Sequence, residues 1–451
     1  MRGGRRLAFV ATLLAGTFSM SISQSALSTA YPEFMRAFHL DAGTVAWLTT
    51  GFMLMMTLMM PVSPWLLHNV PFKRLFQIVE GIFALGTLLC VWAPTFSVLL
   101  IGRLLEAIGV GIIFPSFQTV LLTITPLDAR GQVMGLAGLV MGSALAVGPI
   151  ISGVLLTWFS WRALFILFLA VACIVLILAK WTITSALQLQ KSGLDWLSFC
   201  LSAGFPITLM ALSLLAKDGS RVVGAAFLIV GIALLLSFIY RQLHLKAPML
   251  QLRVLQTGMF RKSVLLTGIS YVGLIVTTVM LPLFLQTHLH VSPLVSGLAL
   301  VPAAVMLSLL NPISGKMLDR FGSRVVATVG MSLIAGGYLL LGLLAAHLNV
   351  LGAILLAICT ESGNAFVMMP SVTAGANALP KQLVPDGTAV TTTARQLFGA
   401  AGVLVATVLL SLMEQQLGNQ AAGFSWTFLV FAVIAAAGLL LALSLPRKEA
   451  A

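Results

Sequence analysis

Fourteen times along the chain a mainly apolar stretch of about twenty residues or more recurs, each long enough to cross a bilayer as a helix. Inside lipid, every backbone N–H and C=O of such a run has to be satisfied within its own segment, so the runs are expected to be helical. They fall at residues 7–31, 45–67, 75–93, 96–124, 131–159, 161–181, 196–215, 222–240, 263–287, 294–318, 325–346, 350–379, 387–413 and 424–445. Only 8% of the 451 residues are charged, against about a quarter in a soluble domain. The expected fold class is therefore an all-α integral membrane protein. The start, MRGGRRLAFVATLLAG, resembles a secretory signal, but its apolar stretch is long enough to span and reads as an uncleaved first helix.

The few charges report orientation. With the amino terminus inside, nineteen Lys and Arg residues fall in inner segments and four in outer ones, while Arg103 and Arg395 lie within runs. Adding or removing one span would scramble that split, so both termini are placed in the cytoplasm. The net charge of +13 thus belongs to membrane topology, and no nucleic-acid partner is expected. Cys90, Cys173, Cys200 and Cys359 all lie in apolar runs without metal spacing, and they read as small core residues. His288 and His290 share an outer loop but form no convincing metal pair. Neither a Walker motif nor HExxH is present, so ATP-driven transport and zinc hydrolysis are unsupported, and no metal or cofactor is expected.

Two runs contain an acid where charge is costly. Glu106 stands nine residues before Pro115-Ser116; 255 residues further on, Glu361 stands nine before Pro370-Ser371. A charge at bilayer depth costs about 2.5–3.5 kcal/mol on insertion scales, so such residues usually serve function. The offset marks an internal repeat. Parallel repeats of six spans are a transporter plan with the substrate at their interface. The expected division is a first bundle of six helices over 1–181, a two-helix insert over 182–252 and a second bundle over 253–451. Symmetry would place Glu106 and Glu361 at one depth, facing a shared cavity and exchanging protons. Against that stands static pairing, of Glu106 with Arg103 and of Glu361 with Arg395; at 1.5 Å per residue the latter two lie about 16 and 12 Å from opposite ends of their runs. Glu80, about a turn into the third run, is expected to snorkel or to face the cavity.

Small residues punctuate the fifth run: Gly131, Gly135, Gly138, Gly142, Gly148-Pro149 and Gly153. Such steps let another backbone approach, and Pro149 bends the helix. The loop after the tenth run holds Gly315, Asp319, Arg320, Gly322 and Arg324. There the acid can pair with a base or cap a helix end, as a latch that breaks and re-forms. Met55, Met59, Gln118, Asn364, Met368 and Arg395 are candidates to line a substrate cavity, methionine being common at adaptable surfaces.

Together these residues resemble the major facilitator superfamily, and within it the fourteen-span drug:proton antiporters of the EmrB/QacA type. Gly315–Arg324 is similar to the loop motif G-x-x-x-D-R-x-G-x-R, and Gly102-Arg103 through Gly109 resembles the fourth-span motif whose Arg is associated with proton coupling. Gly138, Gly142, Gly148, Pro149 and Gly153 resemble the fifth-span antiporter motif, and MMPSVTAGANALP is similar to the lincomycin-resistance-like branch. The resemblance implies a major facilitator fold: two six-helix bundles plus two extra central helices. It implies a monomer in a bacterial plasma membrane that exports small hydrophobic or cationic compounds, including antibiotics, against protons, with proton motive force in place of a cofactor. An exporter or flippase of one endogenous amphiphile is the alternative. Three positions depart from the pattern: the first-half loop, Val62 to His68, carries no Asp; the usual first-span Asp is Ser23; and the usual fourth-span Gln is Glu106. The acid is expected to have moved from the first span to the fourth.

Overall fold

In a computed structural model the chain is described over residues 3–185, 189–190, 193–215 and 219–446. Among these residues there is no strand. Of the bases counted above, Arg2, Lys191, Lys217, Arg447 and Lys448 lie outside them. Fourteen helices are long and apolar enough to cross a membrane, and they are numbered here as spans. Spans 1 to 6 are Gly4–Ala26, Gly43–Asn69, Phe72–Trp92, Phe96–Ile124, Leu127–Trp158 and Arg162–Thr182. Spans 7 and 8 are Trp196–Leu215 and Arg221–His244. Spans 9 to 14 are Gly258–Thr287, Val295–Phe321, Ser323–His347, Val350–Asn377, Lys381–Leu417 and Gln420–Leu443. An even number of spans returns both ends of the chain to one side, called here the terminal face.

Most boundaries lie within a few residues of the hydropathy runs, because an apolar run that must satisfy its own backbone has one conformation open to it. The clearest difference is span 13. It starts at Lys381 rather than 387: a 3-10 turn over Lys381–Leu383 leads into an α-helix from Val384, which Pro385 at its first positions and Asp386 in its first turn open before hydropathy registers one. The first run is also divided. Its helix ends at Ala26, and a separate short helix, Tyr31–Phe38, follows a 3-10 turn.

Six spans pack on each side of the molecule. Phe9, Phe76, Phe83, Phe117 and Val175, from spans 1, 3, 4 and 6, share one apolar core. Phe284, Tyr338, Phe424 and Phe431, from spans 9, 11 and 14, share the other. Spans 7 and 8 form a hairpin in which Gly204 and Gly231 bring the helices close and Phe205 meets Phe238 at 5.5 Å between ring centres. This hairpin packs against both span 2 and span 13, one from each half. Its flanking segments reach the same seam: Gln190 N–H donates to His68 O at 2.8 Å, and Gln251 N–H to Asp386 Oδ1 at 2.7 Å.

Candidate functional site

Span 4 is buried along most of its length, so its two charges have to be satisfied by neighbours. Arg103 Nη1 donates to Glu106 and, at 2.9 Å, to Ser23 Oγ on span 1. Ser23 in turn donates to Glu106 Oε2 at 3.1 Å, and Thr87 of span 3 donates to Oε1 at 2.7 Å. The guanidinium also lies over the Phe52 ring of span 2, 4.2 Å from its centre. Both charges are essentially inaccessible. The i,i+3 pair is thus a knot inside the first bundle, and it does not face a cavity between the halves. Ser23 of span 1 thus touches the acid that stands in span 4.

Glu361 occupies the equivalent place in the second bundle, among spans 9, 11 and 12, and there too the expected exposure to a shared cavity is corrected. Its Oε2 accepts from Asn364 Nδ2 at 3.2 Å; its Oε1 is buried without a partner. Ser270 of span 9 donates to Asn364 Oδ1 at 2.7 Å, so Asn364 braces the acid and does not line open space. Tyr338 of span 11, bonded to Gly273 O at 2.6 Å, lies within electrostatic reach of Glu361. The expected Glu361–Arg395 ion pair is absent among the described residues. Arg395 sits over the Tyr271 ring instead, 5.1 Å from its centre, with Nη1 4.0 Å from Met368 Sδ. The depth match read from the sequence fails: Arg395 meets span 12 at Met368, seven residues and about 10 Å of helix rise from Glu361.

Glu80 neither snorkels nor faces a cavity. It is fully buried behind span 1, both oxygens without a partner, and a Cβ on Gly16 would stand 3.1 Å from its Oε2. A few residues of span 3 separate it from water in sequence, but spans 1 and 6 close over it.

The loop and the glycines meet across the halves. Asp319, at the end of span 10, accepts from Gly131 N–H and Gln132 N–H at 2.8 Å each, so its carboxylate caps the helix that opens span 5. Above that cap the two spans run backbone to backbone. A Cβ on Gly131 would stand 2.3 Å from Gly315 O, one on Gly135 2.4 Å from Asn311 O, and one on Gly142 2.7 Å from Ser308 Oγ. Gly138 meets Asn311 Oδ1 in the same way. Further along, Gly148 packs on Ser25 of span 1, whose hydroxyl donates to Ala144 O at 2.7 Å, and Pro149 lies half-buried beside it. Gly153 faces open space, so the close approach expected of it does not occur. Gly322 takes φ +82°, a left-handed conformation that suits glycine, at the turn into span 11. Arg320 is exposed, over Phe321, and Arg324 is half-buried.

Two further cross-half bonds escaped sequence reasoning. Arg130 Nη1 donates to Asn377 Oδ1 at 2.6 Å, and the Thr119 and Thr388 hydroxyls bond at 2.6 Å. In the first half, His68 stands where the loop pattern has Asp; the acid at that seam is Asp386, on span 13 itself, with His68 within electrostatic reach. A Pro-Asp helix start in the sequence could have pointed to it. Of the remaining candidates, Gln118 is buried with its Nε2 unpartnered, Met55 packs on the first core, and Met59 lines an apolar groove of about 330 Å³ between spans 2, 3, 4 and 7.

Comparison with known proteins fits this geometry. The family model described as Major Facilitator Superfamily matches residues 13–403 and 264–451. The uncharacterized MFS-type transporter YcnB of Bacillus subtilis is 38% identical, over 98% of this chain and 96% of that protein. The lincomycin resistance protein LmrB of Listeria innocua is 32% identical, over 99% of this chain and 98% of that one. The crystal structure of the human organic anion transporter MFSD10 superposes with a TM-score of 0.71 over 98% of this chain and 100% of that one; at 13% identity it shows the fold alone. With a matching model over nearly the whole chain and full-length relatives above 30% identity, this chain belongs to the major facilitator superfamily and is a transporter, not an enzyme.

Proposed function

We propose that the chain is a monomeric efflux antiporter of a bacterial cell membrane, moving hydrophobic or cationic compounds outward against protons by alternating access. The observation that carries this reading is the matched placement of Glu106 and Glu361 in the two bundles, one tied to Arg103 and Ser23, the other with an oxygen still open. A group that couples transport must interact differently with its surroundings in the two orientations, and a buried carboxyl whose neighbours come from three spans does so whenever those spans shift. Relatives named for lincomycin and multidrug resistance support export of drug-like compounds. With the termini cytoplasmic, the cross-half contacts close the cytoplasmic side, and the orientation is outward-facing.

The test uses protein in liposomes with an internal pH dye and an imposed pH gradient. Lincomycin and tetraphenylphosphonium, added in turn, are expected to collapse the gradient, and the E106Q/E361Q double variant to abolish that response. Substrate flux without proton movement overturns the reading. A second reading, export of an endogenous amphiphile, draws support from the apolar groove beside Met59, Ile78, Ile108 and Phe199.

A further inference from the structure

We propose that the junction of the two halves holds a subsite for an anionic group, organised by Arg395, so that the transported compounds include apolar bodies bearing a carboxylate, phosphate or sulfonate. The inference rests on the export reading above and extends its substrate class to compounds that carry an anionic group.

Arg395 is 5% exposed, and its Nε is buried without a partner. Among the described residues no ion pair uses it, whereas Arg36 pairs with Glu33, Arg103 with Glu106 and Arg241 with Asp195. Its neighbours are an aromatic face and a thioether, Tyr271 and Met368, and neither carries the negative charge that a buried guanidinium calls for. The contrast with Arg103 is within one molecule. That buried Arg has a carboxylate, a hydroxyl and a ring around it, whereas Arg395 has only the ring and a sulfur. Nor does the second bundle's own acid reach it. Glu361 lies seven residues, about 10 Å of helix rise, from Met368 on span 12 and is braced by Asn364.

The place is right for a ligand. Met368, beside the guanidinium, packs against the core of the first bundle, so Arg395 stands where the halves meet. The Tyr271 hydroxyl donates to Gln396 Oε1 at 3.0 Å, which fixes the ring beneath the guanidinium. A guanidinium over a ring keeps its planar fork of donors, the geometry that takes two oxygens of one anion at once. Methionine and the aromatic ring supply the surface for an apolar body. The anionic group could belong to a free compound or to a lipid headgroup, and the chemistry recognised is the same.

The test uses the full-length protein in phosphatidylcholine nanodiscs and three probes sharing one fluorophore and chain: dansyl-aminooctanoate, its methyl ester, and the dansyl-aminooctyl trimethylammonium ion. Binding is read by fluorescence titration. The carboxylate is expected to bind about tenfold or more tighter than the ester, as a charge-assisted hydrogen bond implies. R395Q removes that preference while ester binding stays; R395K, which keeps the charge without the fork, retains part of it and serves should R395Q fail to fold. Nanodiscs of phosphatidylglycerol separate the sources: weaker carboxylate binding there, in the native protein and not in R395Q, means that lipid headgroups compete for the subsite. Equal binding of carboxylate and ester by the native protein overturns the proposal, and so does a preference that survives in both variants. Proton-coupled export of the ester or the ammonium probe with no carboxylate preference leaves the export reading standing and removes the subsite. A carboxylate preference without substrate-driven proton movement does the reverse.

Discussion

At the scale of single residues, the first bundle is organised by a charge that its fold can tolerate only in company. Removing one member of a buried ion pair leaves the other uncompensated, typically at about 3–5 kcal/mol. Glu106→Gln should therefore lower the thermal midpoint in detergent and, with it, substrate-driven proton movement. Ser23 Oγ lies 3.1 Å from Glu106 Oε2, close enough for an acid at either position to serve Arg103. The double change S23D/E106Q is expected to recover both stability and proton movement in part, read by thermal unfolding and by the internal pH dye; no recovery of either would mean that the acid cannot be exchanged between the two spans. Glu80 calls for a different outcome. Its carboxyl has no partner to lose, so Glu80→Met should hold or raise the thermal midpoint by up to the equivalent of about 1–3 kcal/mol, and E80Q should leave proton movement unchanged. Glu106 was legible in the sequence, because Arg103 three residues away announces the pair on one helix face. The surroundings of Glu80 were not, since its place behind span 1 depends on spans 1 and 6, far away in the chain.

Among the helices, the spans themselves were readable because lipid leaves an apolar run little choice, and helix ends were readable where Pro, Gly or Asp mark them. Which glycine faces which neighbour was not. Gly131 and Gly153 look alike in the sequence, yet one touches Gly315 and the other faces open space. A methyl at Gly315 would stand 2.1 Å from Gly131 O, a backbone atom that cannot swing away, and overpacking of this kind costs about 1–3 kcal/mol. In G315A, a cysteine placed at Thr388 should react faster with a water-soluble maleimide, in a background where Cys90, Cys173, Cys200 and Cys359 have been replaced. An unchanged rate would show that the span 5–span 10 contact does not hold the terminal face shut. The insert is tied by a second device. Arg241 at the end of span 8 grips Asp195, just before span 7, through Nε and Nη2 at 2.7 and 2.9 Å. That bidentate bond, with desolvation opposing it, holds the Asp195 carboxyl down at about 2. A depressed acid contributes stability above its unfolded value near 4 and loses it as pH falls toward 2. Because the pair is partly exposed, D195N should cost only about 0.5–1 kcal/mol at neutral pH. The difference in thermal midpoint between D195N and the native protein should shrink by pH 3.

For the molecule as a whole, the contacts between halves are distributed unevenly. The Asp319 cap on span 5, the Arg130–Asn377 bond and the Thr119–Thr388 bond lie toward the terminal face, and the backbone contact of spans 5 and 10 runs from Gly131 to Gly142, about 17 Å of rise. The two halves keep separate apolar cores behind this seam. Bodies that share few core residues can rotate as units, and a seam of hydrogen bonds and glycine contacts can part without unfolding either. Alternating access then requires that the Thr119–Thr388 bond break once in each cycle, because the two residues lie on span 4 of one half and span 13 of the other. Cysteines at both positions, in the cysteine-free background, should form a disulfide on mild oxidation, the hydroxyls being 2.6 Å apart now. The cross-linked protein should bind substrate from the opposite face with affinity close to that of the reduced form, yet carry none across the membrane. Reductant should restore transport in full. Transport that continues through an intact cross-link would mean that span 4 and span 13 never separate, and the rocking of two rigid halves would have to give way to movement of the remaining spans around a fixed seam.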